Sequence, residues 1–141
     1  MKSKLIGVAL ALALVTSGKA LAQETPAPAD AHAYFINLKD GQHVKSPVTI
    51  QFGLSGMGVA PAGVKFDNTG HFHLLIDAEL PPKGEPMPMD ARHLHFGKGQ
   101  IEATVQLTPG RHTLQIAMGD GAHFLHHPPV VSDKITITVD P

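Results

Sequence analysis

From Ala33 onward, apolar residues recur at every second position, and no stretch repeats them every three to four as an amphipathic helix would. Val48-Thr49-Ile50-Gln51-Phe52-Gly53-Leu54 alternates without a break, so Val48, Ile50, Phe52 and Leu54 share one face. Ile101, Ala103, Val105 and Leu107 repeat the pattern, as do His112, Leu114, Ile116 and Met118, and then Ile135, Ile137 and Val139. Ala33 to Leu38 supplies an earlier strand that ends in the Asp40-Gly41 turn signal. The connections are rich in glycine and proline. Ser55 to Gly70 carries Gly56, Gly58, Pro61 and Gly63, and Glu79 to Ala91 carries Pro81, Pro82, Pro86 and Pro88, which a helix interior or a central strand would not accommodate. Strands at this spacing predict an all-β fold, an immunoglobulin-like antiparallel β-sandwich in a single domain.

In that topology Val48–Leu54 is strand B, His71–Asp77 strand C, Ile101–Leu107 strand E, His112–Met118 strand F and Lys134–Val139 strand G. Strands C and F are then neighbours, and the B–C and F–G loops meet at one end of the domain. That end would bring His71 close to His123, His126 and His127, residues about fifty positions away.

Lys2 and Lys4, the apolar run Leu5 to Val15, and Ala20-Leu21-Ala22 make residues 1–22 a secretory signal peptide. The apolar run is shorter than the roughly 20 residues that span a bilayer, and no later stretch is longer. Residues 23–31 read as a Pro/Ala-rich linker, and residues 32–141 as the β-sandwich domain. A periplasmic location is expected. Removing Lys2, Lys4 and Lys19 leaves 8 basic against 12 acidic residues, which disfavours nucleic acid or an anionic membrane as partner. The absence of cysteine excludes disulfides, thiolate ligands and a cysteine nucleophile.

All 10 histidines lie beyond the signal peptide, and two pairs fall on strands. In Gly70-His71-Phe72-His73-Leu74-Leu75-Ile76-Asp77, His71 and His73 share the face opposite Phe72, Leu74 and Ile76; in Arg92-His93-Leu94-His95-Phe96-Gly97, His93 and His95 oppose Leu94 and Phe96. His-x-His on a strand sets two imidazoles about 6–7 Å apart at their Cα atoms, and a neighbouring strand adds further ligands. A hairpin pairing Asp77 with His93 would set His95 opposite Leu75 and diagonal to His73, about 7–8 Å away. The candidate metal ligands are His71, His73, His93, His95, His123 and His126. Imidazole donors without a carboxylate cluster suit copper or zinc rather than calcium. Met87-Pro88-Met89 adds thioethers that would suit Cu(I), or else fill gaps in a Pro-rich loop. Asp77, Asp90 and Asp120 would orient imidazoles from behind or form turns. His112 falls on the core face as a structural histidine, and His32 and His43 on the surface. The same imidazoles could instead occupy solvent-facing positions of a half-exposed strand, or hydrogen-bond one another, Asp77 and loop carbonyls as a metal-free polar network that holds the long loops down.

Taken jointly, Gly70-His71-x-His73-Leu74-Leu75-Ile76-Asp77, His93-x-His95-Phe96-Gly97-x-Gly99-Gln100, Gly110-x-His112-Thr113-Leu114-Gln115, Asp120-x-x-His123 and Pro128-Pro129-Val130-x-Ser132 resemble the exported bacterial domain-of-unknown-function family number 4399, over roughly residues 33–140. The resemblance implies a compact β domain behind a signal peptide and carries no activity with it. Ile101 stands where that pattern expects threonine, and the Met87/Met89 pair lies outside it. The function expected is storage, delivery or sensing of copper or zinc, by a protein without a membrane span that meets the ion or a periplasmic protein partner. The alternative is a binding or envelope-associated module whose histidines are structural or pH-responsive. Nothing identifies a catalytic residue, a general base or a substrate for a metal-dependent hydrolase.

Overall fold

The computed structural model describes residues 24–141; the expected signal peptide, residues 1–22, lies outside the described residues. Among the described residues nine strands follow in order: β1 (His32–Phe35), β2 (His43–Lys45), β3 (Val48–Ser55), β4 (Gly58–Val59), β5 (Thr69–Ile76), β6 (His93–His95), β7 (Glu102–Val105), β8 (Gly110–Gly119) and β9 (Ile135–Asp140). The fold is all-β, and among the described residues no helix is long and apolar enough to cross a membrane.

One sheet has the order β1-β3-β7, with both pairings antiparallel. The second runs β2-β9-β8-β5-β4, with β6 also on β5; β2 lies parallel to β9, and β4 parallel to β5. β5 and β8 are therefore neighbours, with His71 opposite Gly119. The alternation read from the sequence determines what the sheets bury. Val48, Ile50 and Phe52 from β3 meet Phe72, Leu74 and Ile76 from β5 and Leu114, Ile116 and Met118 from β8 in a single core. Phe52 stands between the layers, its ring centroid 5.1 Å from that of Phe72 and 5.0 Å from that of Phe96. Ile101, expected to point inward, is 60% exposed. β7 begins only at Glu102, after the Gly97–Gln100 turn, so Ile101 precedes the half-buried part of the strand.

The hairpin register differs from the expected one by two residues. His93 lies opposite Leu75, and His95 opposite His73. Asp77 adopts φ +51°, which ends β5 at Ile76, and its carboxylate turns toward β8 to accept the Thr113 amide at 2.7 Å. Pairing with β6 thus starts deeper along β5. A two-residue shift keeps each side chain on its face, and it replaces the diagonal His73–His95 relation with a direct cross-strand one.

The segment read as a linker is laid along the domain. Pro26 bridges His127, the Ala27 amide donates to the His127 carbonyl at 3.0 Å, and the His127 amide donates to the Thr25 carbonyl at 2.9 Å.

Candidate metal centre

His71 and His73 leave β5 on the face away from the core, yet both are 0% exposed. Loops close over that face. The Ala60, Ala62 and Gly63 amides donate to the carbonyls of Gly70, Gly97 and Gly121, which stitches the 58–64 stretch across the ends of β5, β6 and β8. On another side the Met87 amide donates to the His123 carbonyl at 2.7 Å, and Met87 packs with Leu75 and Ala117. The Pro-rich loop is therefore ordered, anchored by a buried thioether side chain. A half-exposed strand carrying solvent-facing imidazoles does not describe this face.

Four imidazoles meet under these loops. His71 Nε2 and His73 Nε2 lie 2.9 Å apart, and His95 Nε2 and His123 Nε2 lie 3.1 Å apart. The ring centroid of His71 is 4.8 Å from that of His73, 4.9 Å from that of His95 and 5.0 Å from that of His123. His71, His95 and His123 each offer a ligand atom, all within 4.8 Å of one another, and this group could hold a metal ion. Ligand nitrogens of a tetrahedral ion with bonds of about 2.0–2.1 Å sit about 3.3–3.4 Å apart. Within each Nε2 pair that spacing needs a shift of roughly half an ångström. His73 lies outside the three-histidine group, with its ring centroid 6.1 Å from that of His123, and must move further to join it.

Two glycines make room for the rings. A Cβ on Gly119 would lie 2.8 Å from His73 Nε2 and 3.3 Å from His71 Cε1, and one on Gly97 would collide with His95 Cε1. Gly119 on β8 lies opposite His71, and Gly97 follows His95 by two residues, a spacing visible in the sequence.

His123 reaches the cluster from a strained turn. Its φ is +71°, a region that costs a non-glycine residue about 1–2 kcal/mol. Asp120 holds the turn: its Oδ1 accepts the Ala122 amide at 2.8 Å and the Phe124 amide at 3.0 Å, and its carbonyl accepts the His123 amide at 2.9 Å.

Burial shapes the chemistry of the cluster. Desolvation, reinforced by the neighbouring imidazoles His95 and His123, lowers the His71 pKa to about 4, and desolvation with His71 and His95 lowers that of His73 to about 3. His95 is lowered by desolvation and by His123. Near neutrality these rings are uncharged, as metal binding requires. Within each Nε2 pair one nitrogen donates and the other accepts, so the two rings are opposite tautomers. Among the described residues His71 Nδ1 and His73 Nδ1 are buried without a partner.

The remaining expected ligands are placed elsewhere. His93 Nδ1 pairs with Asp90 at 2.9 Å and its Nε2 faces the Glu79 carbonyl at 3.3 Å, so both ring nitrogens are engaged in the turn. His126 Nε2 donates to the Thr69 carbonyl at 3.0 Å beside Gly70, and its Nδ1 has no partner among the described residues. Met87 belongs to the small apolar cluster of Leu75 and Ala117, and Met89 is 64% exposed. His112 Nδ1 lies 2.7 Å from Asp77 Oδ2, and its Nε2 lies 2.8 Å from the Thr108 carbonyl. Burial alone would lower the His112 pKa, but these hydrogen bonds and the Asp77 charge raise it. The three aspartates divide their work accordingly: Asp77 secures His112, Asp90 secures His93, and Asp120 shapes the turn under His123.

A family model described as "Domain of unknown function (DUF4399)" matches residues 50–140. No curated protein and no solved structure matches the chain. The matched stretch runs from β3 to β9 and contains all four clustered histidines, and the chain belongs to the DUF4399 family.

Proposed function

We propose that this protein is an exported, periplasmic β domain that holds a copper or zinc ion between His71, His73, His95 and His123, for storage, delivery or sensing. The observation that carries the reading is the convergence of four imidazoles from β5, β6 and the 120–134 loop at one loop-covered point. A donor set of nitrogen alone suits borderline divalent ions, and the thioethers of Met87 and Met89 stand apart from it. Four protein ligands leave no open position for water, which favours holding an ion over hydrolysis. His95 and His123 are only half-buried and offer the way in. The signal-like residues 1–22 support export, and the β3–β7, β5–β8 and parallel β2–β9 pairings support an immunoglobulin-like sandwich.

The test is a titration of the untagged processed chain with Cu(II), Cu(I) and Zn(II), alongside a His71→Ala/His73→Ala variant. Binding tighter than about 10 μM that the variant loses is expected, a lenient threshold beside the roughly 10–16 kcal/mol of structural zinc sites. Weaker binding, or a variant that binds as well, rejects the reading. The metal-free alternative draws support from the direct Nε2–Nε2 contacts, which satisfy one nitrogen of each ring. In that case His71 and His73 form a structural network. A switch near pH 6.5 would then fall to the exposed histidines, because burial keeps these two neutral well below that pH.

A further inference from the structure

The turn that presents His123 is tied to the first described residues of the chain. Thr25 Oγ1 donates to Asp120 Oδ2 at 2.5 Å, across 95 positions of sequence. The other carboxylate oxygen of Asp120 caps the turn amides of Ala122 and Phe124. One side chain thus links the two: its Oδ2 is held by Thr25 and its Oδ1 holds the backbone on either side of His123. Asp120 is only 8% exposed, so water is a poor substitute for the Thr25 hydroxyl.

The rest of the segment is fastened to the far end of the same loop. The Thr25 carbonyl and the Ala27 amide form a two-bond clasp with His127, and Glu24 reaches His127 Nδ1 at 3.3 Å and Lys83 Nζ at 3.0 Å. The loop between these fastenings carries His123 at φ +71°, a conformation that persists only where its surroundings enforce it.

We infer that residues 24–27 act as a strap, with Thr25 and Asp120 as positioning residues that hold the His123 imidazole against His95. Among the described residues the Thr25 hydroxyl hydrogen-bonds Asp120 and none of the cluster rings; it acts through Asp120. The consequence for the metal site rests on the four-histidine reading above: loosening the strap frees one ligand of four while leaving His71, His73 and His95 on their strands. The strap is therefore a means of setting how firmly the ion is retained. Few side chains bury apolar surface in it, so it can be released without unfolding the core.

Thr25→Val tests this, since it keeps the shape and removes the donor; Thr25→Ser restores the hydroxyl and serves as rescue. The first readout uses metal-free protein: NMR contacts between the His95 and His123 rings are expected to weaken or vanish in Thr25→Val, to return in Thr25→Ser, and to persist between His71 and His73 in both. The second uses Zn(II) alone, by chelator competition and imidazole nitrogen shifts. Affinity is expected to fall about tenfold, the usual scale for residues that orient ligands, with the His123 shift lost and those of His71 and His95 kept. Unchanged His95–His123 contacts in metal-free Thr25→Val overturn the strap, whatever the metal does. A wild-type chain that ignores Zn(II), Cu(II) and Cu(I) overturns the metal reading instead, while the ring contacts still decide whether the strap positions His123.

Discussion

Gly119→Ala places a single methyl group under the cluster. Its Cβ would stand 2.8 Å from His73 Nε2, 3.1 Å from His73 Cδ2 and 3.3 Å from His71 Cε1. Relaxed contacts of this kind are about 3.5–4.0 Å, so the His73 ring must retreat by about 0.7 Å or more. It has little space to do so, because it is fully buried with Ala117 opposite it on β8 and His95 opposite it on β6. Overpacking of this degree costs about 1–3 kcal/mol, partly offset by the better strand fit of alanine over glycine. For a domain of this size, a net loss of 1–2 kcal/mol lowers Tm by roughly 4–10 °C. The same retreat is about a third of a metal–nitrogen bond, so Zn(II) or Cu(II) affinity is expected to drop about 10–100-fold. Gly58→Ala is the control, since its Cβ meets Thr69 Cγ2 at an ordinary 3.5 Å. Thermal melts and competition titrations on the two variants provide the readouts. A Gly119→Ala protein that melts and binds metal like wild type refutes the packing described for His71 and His73.

Acidification acts on the same two rings. The unfolded chain protonates each near pH 6.5, whereas the folded chain holds them neutral to about 4 and 3, so the unfolded state binds more protons below pH 6.5 and stability falls as pH drops. Each group costs about 2 kcal/mol between neutral pH and pH 5 on this basis, and urea melts at pH 7.5, 6 and 5 are expected to show a falling midpoint rather than a flat one. Asp77→Asn keeps a residue that tolerates φ +51° and removes the charge beside His112; NMR titration is expected to place the His112 pKa above its ordinary value in the wild type and lower it in the variant. His112 has the opposite linkage sign to the cluster, since a raised pKa gives stability that is present below the unfolded value and lost as pH rises through the folded one. Met87→Ala empties a site beside Leu75 and Ala117 and is expected to cost about 2–4 kcal/mol in denaturant melts, whereas Met89→Ala, at an exposed position, is expected to stay within about 0.5 kcal/mol.

The faces of the strands were legible because their period of two requires nothing beyond the local chain: Phe72, Leu74 and Ile76 go to the core, and His71 and His73 go to the other side. The adjacency of β5 and β8, which brings His71 to the loop bearing His123, followed from strand order alone. Register did not follow, because it depends on where Asp77 leaves the strand, and that is decided by hydrogen bonds to Thr113 and His112, more than thirty residues away. For the same reason His93 looked equivalent to His95, although the Asp90 turn occupies its ring, and His126 looked equivalent to His123, although its Nε2 is taken by the Thr69 carbonyl. Thr25 carried no sequence signal at all: a threonine among prolines gains its role only when Asp120 lies beside it.

The most direct measurement is X-ray absorption on the processed chain loaded with one equivalent of Zn(II) or Cu(II), repeated on His73→Ala and His123→Ala. Four imidazole nitrogens at about 2.0–2.1 Å are expected, with one nitrogen fewer in each variant. A first shell containing sulfur or a majority of oxygen, or one unchanged by both substitutions, contradicts a four-histidine centre.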